Sequence, residues 1–166
     1  MPAYFFEQVQ YSPAVTEFRC TNHFDSSVYI KSISAACALL AGIIYLTITG
    51  LVHLTSSLAL AILPIILIAY IHILVTEESI TVVKNFGVQH KIKFVSTFER
   101  KTFIEVDKLD RVFIHEYIYR SEVKFSIAIL AKGDNRLLLS FKHLYPGFQN
   151  LQKVNKYLNL SLNMGQ

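Results

Sequence analysis

The sequence predicts an α+β membrane protein: a two-helix membrane hairpin followed by a mostly antiparallel β domain that ends in a C-terminal helix. Three observations predict it. From Ser32 to Thr76 there is no Asp, Glu, Lys or Arg, whereas both flanks are ordinarily charged. Beyond Thr76 the apolar residues recur in strand-like alternation between turn residues. From Phe148 to Leu158 they recur instead at helical spacing. The overall hydrophobic fraction, 52%, is close to that of a globular protein; its distribution along the chain carries the reading.

Residues 1–31 form a cytosolic N-terminal segment in this reading. They carry Arg19 and Lys31 against Glu7, Glu17 and Asp25. A basic start, an apolar core and a small-residue cleavage site do not occur in that order, so no signal peptide is expected and the apolar run itself targets the chain. Cys20 and Cys37 are the two cysteines. Their spacing suits neither a disulfide framework nor a metal site, so two free thiols in a reducing compartment are expected.

The apolar run, residues 32–76, is 45 residues long. As one helix it would extend about 68 Å, roughly twice a bilayer core, so it should fold back. Gly50, His53, Thr55, Ser56 and Ser57 mark the break. The arms are then about 32–49 and 58–76, both near the short end of a spanning helix. Two crossings and one re-entrant loop both fit these lengths. Pro64 lies inside the second arm and is expected to kink it. A helical hairpin in a soluble core is the competing reading, but such helices carry a polar stripe that neither arm has. The loop between the arms has no Lys or Arg, while Lys31 flanks the entry and the C-terminal part is basic. The positive-inside rule therefore places both termini in the cytosol. This topology leaves the formal acceptor Asn159-Leu160-Ser161 unglycosylated. His53 is expected to be solvated in the loop, and His72 to reach the interface.

Residues 77–166 carry fourteen Lys/Arg against nine Asp/Glu. This diffuse excess suits a solvated surface or one facing anionic lipid. It lacks the dense basic clusters of a nucleic-acid binder, and no nucleic-acid partner is expected. Strands are predicted at 79–83, 88–94, 102–106, 112–120, 123–130 and 137–141, with turns at 84–87 and 133–135 and a short turn or one-turn helix at 107–110. Six strands closed by one amphipathic helix is the element order of a PH-like domain. The chain has nine Tyr and twelve Phe; aromatics suit interfaces, though most of the Phe fall at positions expected to face the core.

No catalytic constellation is present. The glycines at 87, 133 and 147 are isolated turn residues, and no HxxxH, CxxC or GxSxG occurs. Glu105, Asp107, Asp110 and Glu116 are read as solvated partners of Lys108 and Arg111. No catalytic residue, metal site or cofactor is expected.

Three stretches nevertheless carry a resemblance. They are Tyr11-Ser12-Pro13 with Glu17-Phe18, then Phe86-Gly87-Val88-Gln89, and then Thr102-Phe103-Ile104-Glu105 continuing through Val112, Ile114, Glu116, Ile118 and Tyr119 to Ile129-Leu130. In this order, with a hairpin between the first two, they resemble the PIG-H family of the phosphatidylinositol N-acetylglucosaminyltransferase complex over nearly the whole chain. His115 and Tyr117 depart from the family pattern. The resemblance implies a non-catalytic subunit in the endoplasmic reticulum membrane. It would anchor and dock a separate catalytic glycosyltransferase subunit beside other multi-span subunits. That complex transfers GlcNAc from UDP-GlcNAc to phosphatidylinositol, the first step of GPI-anchor biosynthesis. Tyr11, Ser12, Pro13, Glu116 and Tyr119 are the candidate docking residues. The alternative is a self-contained, membrane-anchored PH-like module that binds lipid or organises membrane.

Overall fold

The structure is a computed structural model that describes residues 4–22, 26–50, 53–133 and 137–162. These fall into two compact units. The first lies within Met1–His23, Val75–Lys93 and Thr97–Gln166, and the second within Phe24–Leu74 and Phe94–Ser96.

The first unit is α+β. Its larger sheet has five strands in chain order: β1 (Tyr4–Ser12), β2 (Val15–Asn22), β3 (Val75–Val83), β4 (Gly87–Phe94) and β5 (Glu99–Glu105). One 3-10 turn, Val106–Lys108, leads into a three-stranded sheet of β6 (Leu109–Tyr119), β7 (Glu122–Ala131) and β8 (Leu137–Ser140). The registered strand pairs in both sheets are antiparallel. The C-terminal helix α3 (Phe148–Ser161) packs on β6 and β7.

Alternation builds the core. Phe18 on β2 and Ile80 and Val82 on β3 face inward at period two, with Phe18 directly opposite Ile80. Val88, Leu109, Val112, Ile127 and Ile129 join them, and Leu151, Val154 and Leu158 of α3 complete the same cluster. The tight end of β4 explains one of the sequence motifs. Gly87 has φ +156°, and a Cβ there would press on the Ile104 carbonyl oxygen of β5, so glycine lets the two backbones approach. At the β6–β7 hairpin, Arg120 and Ser121 both take positive φ, 48° and 65°, as a two-residue hairpin turn requires.

The six strands expected after residue 76 are all present, and the helix expected from Phe148 runs three residues further. Two differences matter. Residues 4–22, set apart at the sequence level, form β1 and β2, and β2 pairs with β3 although residues 23–74 intervene. No strand is expected there from the sequence, and periodicity in any case does not report which strand is a neighbour. Val75 and Thr76, assigned to the second apolar arm, belong to β3, where the Thr76 hydroxyl donates to the Lys93 carbonyl at 3.1 Å. Of the turn expected at 133–135, Gly133 has φ +76°, and residues 134 and 135 lie outside the described residues.

The second unit holds α1 (Ser26–Ile48) and α2 (Leu54–Ile73), which pack on each other. Within α1, the 19-residue stretch Ile30–Ile48 is long and apolar enough to cross a bilayer. Leu60–Ile73 of α2 is apolar but shorter, with Pro64 inside it. Ala36, Pro64 and Ile71 are buried, while Ile44, Ile48, Leu63 and Ile66 are exposed. Hydroxyls turn inward to the helix backbone: Thr47 donates to the Ile43 carbonyl at 2.8 Å and Thr49 to that of Tyr45 at 3.1 Å. Gly50 breaks the run with φ +72°, and the exposed His53 caps α2.

Candidate docking surfaces and a buried carboxylate

Tyr11, Ser12 and Pro13 sit at the β1–β2 hairpin. Tyr11 is 61% exposed, Pro13 is in the turn, and the Ser12 hydroxyl accepts the Ala14 N–H at 3.3 Å. Tyr11 also opens a polar network across neighbouring strands. Its hydroxyl donates to Glu17 Oε2 at 2.7 Å and accepts from Arg19 Nη2 at 3.2 Å. Arg19 bridges Glu17 at 2.9 Å, Glu7 at 3.2 Å and Glu77 at 3.4 Å, and Lys91 Nζ reaches Glu77 at 2.8 Å. Burial pushes the Glu17 carboxyl up, but its hydrogen bonds, that of Tyr11 foremost, outweigh burial and leave it below its ordinary range. Burial likewise lowers Lys91, and Glu77 more than restores it, so the ammonium is held more firmly than usual. The Tyr11 hydroxyl is raised, mainly by its bond to Glu17.

Glu116 and Tyr119 lie on β6, an edge strand of the other sheet. They are three residues apart, so alternation turns them to opposite faces, and no single face presents both. Tyr119 instead shares a face with Tyr117, and the cations of Arg120 and Lys124 lie 5.3 and 4.9 Å from its ring centre. β6 also exposes Phe113 and, at 79%, Ile118. Phe86, Phe98 and Phe103 are exposed as well, and of the described Phe only Phe18 and Phe141 are fully buried. The expectation that most Phe face the core is therefore corrected. Edge strands and turns leave one side of an alternating pattern without a covering layer.

Of the expected solvated pairs two form, Lys108 reaching Glu105 at 2.9 Å and Arg111 reaching Asp110 at 3.5 Å, and among the described residues no ion pair joins Asp107 or Glu116 to either cation. The carboxylate that the structure singles out is another one, Glu78, which is completely buried. Its Oε2 accepts the backbone N–H of His143 at 3.1 Å and of Leu144 at 3.2 Å, its Oε1 accepts that of Lys142 at 3.3 Å, and His90 Nε2 lies 3.1 Å from Oε1. Three successive N–H groups form a nest for an anion. Phe141, buried with φ +59°, turns the chain into it. The nest ties β3 to the segment after β8. Glu78 is in phase with Ile80 and Val82 on the inward face, and a carboxylate at an inward position was the signal available in the sequence. Opposite Glu78 sits Cys20, fully buried, whose thiol is pushed up to about 12 by burial and then by the Glu78 charge. Cys37, the other free thiol, is exposed on α1. Among the described residues no group of three His, Cys, Asp or Glu is placed to hold a metal ion.

Comparison with known proteins finds one family similar to part of this unit. Residues 79–142 match the family described as GPI-GlcNAc transferase complex, PIG-H component, a stretch that runs from within β3 through β8 to the nest. Three relatives are each named as the H subunit of phosphatidylinositol N-acetylglucosaminyltransferase. The one from Mus musculus is 28% identical over 123 residues, and that from Bos taurus 30% over 128 residues. Each match covers 74% of this chain and 64% of the relative. The protein from Homo sapiens is 31% identical over 67 residues, 40% of this chain and 36% of its own. The chain thus spans 64% of the length of the mouse and bovine relatives it matches. No solved structure matches. The matched region takes in β4 to β8 and the end of β3, and over it the chain is similar to the PIG-H family.

Proposed function

We propose that the chain is a non-catalytic, membrane-anchored subunit of the GPI-GlcNAc transferase complex, which transfers GlcNAc from UDP-GlcNAc to phosphatidylinositol at the start of GPI-anchor biosynthesis. The observation that carries this reading is the PIG-H match over residues 79–142. In this proposal α1 and α2 are a hairpin in the endoplasmic reticulum membrane with both termini cytosolic. The apolar stretch Ile30–Ile48 and the back-bonded hydroxyls of Thr47 and Thr49 support it, because hydrocarbon offers polar groups no water. The β unit, read as PH-like from its two sheets and closing helix, is the docking body. Held at the bilayer, it keeps a catalytic partner at high effective concentration near its lipid substrate.

Two edges offer docking surfaces: β1 with Tyr11, Ser12 and Pro13 at its end, and β6 with Glu116 and Tyr119 beside the exposed Ile118. An unpaired edge can take a partner's strand, with side chains setting specificity. The test is deletion of the gene followed by measurement of GlcNAc transfer from UDP-GlcNAc to phosphatidylinositol in microsomes, with re-expression as control. Loss and rescue are expected, and undiminished transfer would overturn the proposal. Among rescued lines, Tyr11→Ala and Tyr119→Ala should recover less catalytic subunit on purification, while full recovery would remove those residues from the interface.

A further inference from the structure

A cleft of about 330 Å³ opens on the first unit, lined by Tyr117, Tyr119, Lys124, Lys142 and His143. Its lining has one chemical character. Two ammonium groups, an imidazole and two phenols line it, and among the described residues no carboxylate does. The positions are built rather than incidental. Tyr117 and Lys124 are directly paired across the β6–β7 hairpin, and Tyr119 follows on the same face. Lys142 and His143 enter from the other side on backbone fixed by the Glu78 nest, and the Tyr117 hydroxyl donates to the Lys142 carbonyl at 3.4 Å. Burial first, then the charges of Glu78 and Tyr119, raise the Tyr117 hydroxyl, which keeps it protonated.

Among the described residues two carboxylates stand by this lining. Glu78 is beneath, fully buried and saturated by three N–H groups and His90. Glu122 stands at the rim, exposed, 3.8 Å from Lys124. Among the described residues no carboxylate forms an ion pair with Lys142.

We infer that this cleft binds a phosphate ester, with Lys124 and Lys142 as its cationic clamp and His143 and Tyr119 as further donors, while Tyr117 fixes the Lys142 backbone. A compact, acceptor-rich dianion answers a lining made of donors, and charge-assisted hydrogen bonds are the strong ones. The volume is at the small end of ligand cavities, which suits a phosphate on a short polyol and not a nucleotide sugar. The same group occurs on a lipid head and on a free metabolite. The inference goes beyond complex membership and does not depend on it.

The experiment titrates the full chain in neutral detergent with glycerol phosphate and, separately, with phosphatidic acid added to the micelles. Glycerol and phosphatidylcholine serve as controls, and binding is read by calorimetry. Saturable binding of glycerol phosphate indicates that the phosphate alone suffices. Binding of phosphatidic acid only indicates a lipid head. In either case the Lys124→Gln/Lys142→Gln variant should bind at least about tenfold more weakly, the size expected from losing one charge-assisted bond. The variant retains the Lys142 N–H on Glu78, so its melting temperature should match the wild type. Lys153→Gln/Lys156→Gln on α3 should bind normally. Absence of saturable binding in both arms, wild-type binding by the first variant, or equal weakening by the second would each overturn the inference. None of these outcomes bears on co-purification with a glycosyltransferase.

Discussion

Leu63 of α2 and Ile80 of β3 are aliphatic side chains of similar size, yet the first is 74% exposed and the second fully buried. The contrast extends through the two units. In the β unit, apolar residues alternate with polar ones and one face is covered by a second sheet and a helix. In the helical unit they run all round, and most described side chains face outward. A surface of that kind is stable where the solvent is itself apolar. Hydrogen bonding divides the units the same way. The helices satisfy their hydroxyls on their own carbonyls, whereas the β unit uses polar side chains to join distant segments, Glu78 to residues 142–144 above all. One unit is organised by local bonds and its surroundings, the other by long-range bonds and its interior.

The sharpest way to break the comparison is to make the same truncation in both units. Ile80→Ala should cost the β unit about 4 kcal/mol in thermal unfolding of the full chain in detergent. Leu63→Ala should leave that transition within about 0.5 kcal/mol. Equal losses would show that Leu63 is packed as a core residue. A charge tests the other side: Leu63→Arg places a cation in an apolar helix at a cost of about 3 kcal/mol in hydrocarbon. Less of the chain should then remain in membranes after an alkaline wash, while Ile118→Arg on β6 should change nothing there. Unaltered retention of Leu63→Arg would argue against a membrane location for α2.

A smaller effect is expected at the nest. Glu78→Gln keeps the shape but gives up the charge, and should destabilise the β unit by about 2 kcal/mol; an unchanged melting temperature would mean the nest is not a tie between β3 and the segment after β8. Smaller again is the acid dependence of Glu17. Its folded carboxyl titrates below the ordinary value of 4.5. Its contribution is therefore complete above that value and is lost as pH falls through the lower folded one. The wild type should lose melting temperature on acidification below about pH 4.5 more steeply than Glu17→Gln, and parallel curves would remove Glu17 as the cause. Least of all, Lys108→Gln breaks an exposed pair with Glu105 and should alter stability by less than about 0.5 kcal/mol.

Much of this was legible in the chain itself. The charge-free run, the six strands between 79 and 141 and the helix from Phe148 follow from period and composition, which report local geometry directly. So does the glycine at 87, whose role needed only one more fact, the closeness of Ile104. The docking candidates were less legible. Glu116 and Tyr119 are neighbours in one motif, and their odd spacing on a strand separates them. Glu78 belongs to no local acidic pair or motif, and only its phase with Ile80 marks it as inward.

The sequence by itself thus determined which segments after residue 76 are helix and strand, where the charge-free run lies and breaks, and which family pattern those strands resemble. Tertiary structure alone decided that residues 4–22 pair with β3 across the helical insertion, that Glu78 is held by three backbone N–H groups sixty-four to sixty-six residues away, and that two lysines, two tyrosines and a histidine line one cleft. The reason is physical. Periodicity records how each residue faces its own element, while pairing and enclosure depend on contacts between distant segments whose partners leave no periodic trace.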